Sequence, residues 1–106
     1  LGAGLLSVER LIDQGVRIPV ENGLLIRNVQ PGGSAERAGL KGISQDRTGE
    51  VVLGDIILSI DGEKMSDLDD LYRYLDKKQI GDTVQAEVYR GNQRIKVPIK
   101  LLQTPS

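Results

Sequence analysis

The chain of 106 residues contains no cysteine and no histidine. Without cysteine it has no disulfide, no thiolate nucleophile and no cysteine-ligated zinc. Without histidine, a Ser-His-Asp or Cys-His mechanism is excluded within this chain, and histidine-based metal sites go with it. Carboxylates, lysines and tyrosines remain as acid–base groups, and none clusters in a catalytic spacing. Phe and Trp are absent too, leaving three Tyr as the only aromatics. The net charge is −1, with Lys and Arg spread along the chain. That leaves neither the basic stripe nor the stacking platforms by which proteins hold nucleic acid. No apolar run approaches the roughly 20 residues of a membrane-spanning helix, and no signal-peptide pattern is visible.

What is present suffices for one domain. A chain of this length buries roughly 65% of its unfolded surface, enough for one ordinary core. "LGAGLL" reads as a short strand punctuated by Gly2 and Gly4. Ser7 then caps a short helix carrying Val8, Leu11 and Ile12 and ended by Gly15. "LLIRNV", Leu24 to Val29, reads as a strand. In "PGGSAERAGL", Ser34 is the expected N-cap of a single helical turn that Gly39 closes. "KGISQDRTGEVV" is polar and glycine-bounded, as in a surface loop.

"DIILSI" is the strongest strand, and the Asp61-Gly62 pair after it favours a tight primed turn. Ser66 is the expected cap of the main helix, whose acidic first turns complement the helix dipole. Leu68, Leu71, Tyr72 and Leu75 recur along it at helical spacing. "DTVQAEVYRGNQRIKVPIKLL" is two alternating strands around a turn at Gly91-Asn92, with Pro98 confining the second to a sheet edge. Helices do not alternate regularly with strands, so the class is α+β: a small antiparallel sheet or barrel of about five strands with helices at its open ends.

Three features invite a chemical reading. "PGGSAERAGL" lacks the Lys-Ser/Thr of a phosphate-binding loop and the spacing of a dinucleotide fingerprint, so it reads as a loop feeding a turn of helix. Asp55 and Asp61 stand about 20 Å apart along a strand at ~3.3 Å per residue. Paired glycosidase carboxylates are separated by about 5 to 10 Å, so both aspartates read as turn and backbone-capping residues. Third, the glycines of "LGAGLL" allow converging N–H groups to form a carboxylate nest beside a strand edge open to an extended peptide. They equally allow mere relief of crowding in a turn, and the residues alone leave both readings open.

The order of motifs carries more. "LGAG", "PGGSAERAGL", "LGDIILSIDG", the helix with "DLYRYLD", and "GDTV…VYRGNQ" together resemble a PDZ domain of the trypsin-like HtrA/Deg serine proteases. The resemblance runs from Leu1 to Leu102 and leaves residues 103–106 as a tail. The loop Lys41–Val52 looks most like the Deg branch of plastids and some bacteria. The fold it implies is a partly open antiparallel β-barrel or sandwich of about five strands, capped by one main helix and short helices.

The function it implies is non-catalytic binding of peptides or unfolded segments with apolar C-termini, without any cofactor or metal. Backbone N–H groups around Leu1, Gly2 and Ala3 would receive the terminal carboxylate. The peptide would pair with Gly4 to Leu6, while Leu5, Leu68, Tyr72 and Leu75 would line side-chain pockets, with Leu71 facing partly into the core. Ala3 stands where the family usually has a bulkier apolar residue, which should widen the terminal pocket.

The resemblance further implies an attached protease domain and a trimer-based homo-oligomeric parent, the isolated domain being a monomer. It places the protein outside the cytoplasm, in a periplasm or cell envelope or in a plastid lumen. Two alternatives stay beside it: an assembly or gating domain with a blocked groove, and a parent that is a C-terminal processing or intramembrane protease.

Overall fold

The computed structural model describes residues 2–102. Leu1 and the expected tail at 103–106 lie outside the described residues. The run before Asp61-Gly62 forms the middle of the sheet, because Ile56, Ile57 and Ile60 are buried on both faces. This strand, β5 (Ile56–Ile60), lies between β2 (Leu24–Val29) and β7 (Thr83–Arg90). Outside these lie β1 (Ala3–Ser7) and β8 (Gln93–Lys100), giving the antiparallel order β1-β2-β5-β7-β8. A two-residue strand, β6 (Glu63–Lys64), folds back on β5.

β1 and β8 are both edges, so the barrel stays open. Pro98 sits on β8 opposite Gln85, the edge position its missing N–H requires. Both hairpin turns are primed: Asp61 and Gly62 have φ of 52° and 83°, Gly91 and Asn92 of 55° and 66°.

Alternation sorts the apolar side chains onto two faces. Leu24, Ile26, Ile57, Ile60 and Leu71 join Val84, Ala86, Val88 and Ile99 in the main core. Val8, Leu25 and Ile56 form a smaller cluster on the opposite face, under α1 (Val8–Asp13).

Three expectations shift. The segment read as a plain loop contains a small hairpin, β3 (Ser44–Gln45) with β4 (Val51–Val52), too short for any period to reveal. Ser34 is the first residue of α2 (Ser34–Arg37) and not its cap, which is Gly33. The buried Ser34 hydroxyl accepts the Leu102 N–H instead (2.8 Å), tying the end of the domain to α2.

The cap of α3 (Leu68–Leu75) is Asp67 and not Ser66. Asp67 accepts the Asp70 N–H (2.9 Å) while the Asp70 carboxylate accepts the Ser66 N–H (3.1 Å), a reciprocal capping arrangement. Ser7 does occupy the cap position of α1, yet its hydroxyl donates to the Ser66 carbonyl (3.4 Å).

Asp55 is more than a capping residue. Only 3% exposed, it accepts the Lys41 N–H (3.0 Å) and pairs with the Arg90 guanidinium, whose Nε lies 2.8 Å away. Arg90 also donates to the Gly39 carbonyl (3.1 Å), so one ion pair joins the start of β5, the end of β7 and the exit of α2. That pair holds Arg90 protonated above the ordinary guanidinium range.

Candidate functional site

Among the described residues strand β1 has a single partner, β2, and its other edge is open. The Gln30 N–H donates to the Gly2 carbonyl (2.7 Å) at one end of this ladder, and the Val8 N–H to the Gly23 carbonyl (3.0 Å) at the other. Antiparallel pairing alternates between them. The Gly2 carbonyl and the backbones of Gly4 and Leu6 therefore address β2, while the amides and carbonyls of Ala3, Leu5 and Ser7 face the open edge. Gly4 completes the picture through a side chain: its N–H donates to Asn28 Oδ1 (3.0 Å). Of the expected stretch Gly4 to Leu6, Leu5 is the residue whose backbone is available to an added strand.

Gly2 has a φ of +72°, and a Cβ there would lie 3.1 Å from the Gly33 Cα. A side chain is excluded by conformation and by space, so the start of β1 turns tightly against the Pro-Gly-Gly segment. Leu1, expected to share in carboxylate binding, is outside the described residues.

Helix α3 forms the facing wall. At 3.6 residues per turn, Leu68 and Leu75 share one side, and both are half-buried against the core beside Ala3 and Leu5. Leu71 is rotated about 60° from them and is 1% exposed. It is a core residue, turned inward more completely than the partly inward position expected of it among the peptide-binding candidates. Tyr72 is 58% exposed and is not among the residues lining the cavity at this face.

The cavity at this face, about 440 Å³, lies toward the start of α3. Its walls are Leu5, Leu6 and Ser7 of β1, Arg10, Leu11 and Gln14 around α1, and Asp67, Leu68 and Asp69. The α1 wall was missed from sequence. Its trace there is Leu11, one of the apolar residues Val8, Leu11 and Ile12 that mark the short helix.

A cluster behind the helix fixes its far half. Tyr74 Oη donates to Asp61 Oδ2 (2.6 Å), Lys78 Nζ lies 3.8 Å from the same oxygen, and the ammonium sits 5.3 Å above the Tyr74 ring. The Gln85 N–H (2.7 Å), then the Tyr74 hydroxyl, then Lys78 hold the Asp61 carboxyl below the usual carboxylate range. The bond to Asp61 pushes the Tyr74 phenol up. Together the open edge and the apolar wall can hold an extended backbone.

The family model for the PDZ domain matches residues 6–101. The chain is a PDZ domain. Its relatives are Deg/HtrA serine proteases. Over 101 residues it is 40% identical to Protease Do-like 1, chloroplastic, of Arabidopsis thaliana, covering 95% of this chain and 23% of that protein. It is 28% identical over 105 residues to the probable periplasmic serine endoprotease DegP-like of Bartonella henselae, covering 99% and 18%. The PDZ domain thus spans about a fifth of the length of these curated relatives.

Two solved structures share its fold. One is the HtrA3 PDZ domain bound to a phage-derived ligand, with TM-score 0.70 and 22% identity, covering 94% of this chain and 81% of that one. The other is the HtrA-type protease AlgW with a decapeptide, with TM-score 0.69 and 24% identity, covering 100% and 30%.

Proposed function

We propose that this PDZ domain is the non-catalytic peptide-binding module of a Deg/HtrA-type serine endopeptidase. It takes C-terminal or extended apolar segments as an added strand on β1, delivering substrate to the attached protease or regulating it. The observation that carries this reading is the open edge of β1, with Ala3, Leu5 and Ser7 facing outward opposite Leu68 and Leu75 of α3. Main-chain hydrogen bonds along such an edge supply affinity, and pockets for alternate side chains supply selectivity. Amides at Leu1, Gly2 and Ala3 receive the terminal carboxylate, and Tyr72 closes the outer lip. The peptides seen with the HtrA3 PDZ domain and with AlgW support the same use.

Micromolar affinity, about −8 kcal/mol, fits an added strand of a few residues that must itself be ordered. We place the parent outside the cytoplasm, in a periplasm or cell envelope or in a plastid lumen, a reading supported as far as the compartment by its chloroplastic and periplasmic relatives, and we take it to be a trimer-based oligomer. Calorimetric titration with pentapeptides ending in Val, Leu or Ala tests the assignment. Saturable micromolar binding supports it, and no heat with any of them opposes it.

A second reading has its own observation. Val51 (63% exposed) and Val52 at the end of the 41–52 loop, with Leu53 just after it, present an apolar surface, which fits an assembly or gating contact with the protease domain or a neighbouring subunit. A domain that stays monomeric and ignores every peptide would favour it.

A further inference from the structure

The ladder between β1 and β2 slips between Gly4 and Leu5: Gly4 pairs with Asn28 and Leu5 with Ile26, so Arg27 has no partner on β1. A bulge of this kind turns two consecutive side chains to one face. Val29 and Ile26 point to the main core, while Arg27 and Asn28 are both exposed on the outer face, across from Gly4. The carbonyl that the bulge frees at Arg27 accepts the Ile43 N–H (3.0 Å), and Gly42 lies against the same peptide too closely for any Cβ. The start of the 41–52 loop therefore clamps the bulge in place.

On β1, the place of a Gly4 side chain is taken by the Asn28 carboxamide, whose Oδ1 lies closest to where a Cβ would be. Arg27 Nε lies 3.6 Å from where a Gly4 Cβ would be, and the guanidinium pairs with no carboxylate among the described residues. An added strand puts its side chains on alternate faces. The residue opposite Leu5 points into the groove, and the residue opposite Gly4 points outward, over Gly4 and the Asn28 carboxamide and toward Arg27.

Resting on the peptide-capture reading above, we propose that Arg27 is a specificity residue that selects an acidic side chain at the outward position opposite Gly4. That position is the penultimate one when the terminal residue lies opposite Ala3. The 41–52 insertion, through Gly42 and Ile43, is the device that holds this cation at the groove edge. Asn28, occupied with the Gly4 N–H, steers the bulge and takes no part in charge selection.

The test uses three pentapeptides with the same apolar free C-terminus and Glu, Gln or Lys at the penultimate position. Each is titrated into the wild-type domain, Arg27→Gln and Arg27→Glu, with folding of each variant checked from its amide spectrum. In the wild type, Glu should bind about threefold tighter than Gln, the effect of one exposed ion pair, and Lys weakest. The gap should close at high salt. Arg27→Gln should flatten the ranking and Arg27→Glu should invert it toward Lys. Equal binding of all three peptides by the wild type, or a ranking that survives in Arg27→Glu, overturns the proposal and leaves peptide capture standing. If no peptide binds at all, peptide capture itself fails and the Arg27 proposal falls with it.

Discussion

A Cβ added at Gly54 would sit 2.5 Å from the Ile26 carbonyl oxygen and 2.7 Å from backbone atoms of Gly42 and Lys41. None of these is a flexible side-chain end that could move aside. Gly54→Ala should therefore cost about 2–3 kcal/mol, read as a lower urea midpoint. At the other end of β5, Asp61→Asn isolates charge, because asparagine keeps an acceptor for the Gln85 N–H and tolerates the positive φ. The folded-state carboxyl lies below its unfolded value, so its stabilisation is present above the unfolded value and lost as pH falls through the folded one. Asp61→Asn should cost about 1 kcal/mol at pH 7, with the difference from wild type fading through the acid range below pH ~4. Urea midpoints across that range measure it. Asp61 reads as a turn residue in the sequence, and the Asp61-Gly62 turn was legible because its chemistry is local. Its partners were not, since Gln85, Tyr74 and Lys78 are brought in from other elements. The caps of α2 and α3 shifted by one residue because Gly33 and Ser34, and likewise Ser66 and Asp67, all suit the position.

Among elements, the relation between β1 and α3 decides the site. Leu5→Pro removes an outward-facing N–H and leaves the Gly2, Gly4 and Leu6 contacts to β2 intact. Peptide affinity should fall at least about tenfold, the loss of a strand-addition bond with its geometry, in a variant whose amide spectrum stays dispersed. Undiminished binding by that variant would remove β1 from the site. The Asp55–Arg90 pair acts between β5 and β7. Arg90→Ala leaves the Asp55 carboxylate buried with only the Lys41 N–H, and should cost about 3 kcal/mol in chemical denaturation. The long alternating strands β7 and β8 were legible because eight residues each show a period. Two-residue strands show none. Helical spacing placed Leu68 and Leu75 together but could not say that Leu71, one turn on, belongs to the core.

At the scale of the whole molecule, five weak motifs in one order carried the fold, since each marks a turn or cap whose spacing the sheet order constrains. The groove was legible only through that resemblance: nothing in "LGAGLL" by itself separates an open edge from a crowded turn. The α1 wall of the cavity and the clamp of the 41–52 loop on Arg27 arise from packing between segments far apart in sequence. They have no local signature. The central claim is that the free edge of β1 receives a peptide by its terminus. The most direct measurement is an amide-shift titration of the labelled domain with an apolar-ended pentapeptide, beside the same peptide amidated. Gly2, Ala3 and Leu5 should shift only with the free carboxylate, and silence at these amides with both forms at millimolar concentration would remove the peptide from this edge.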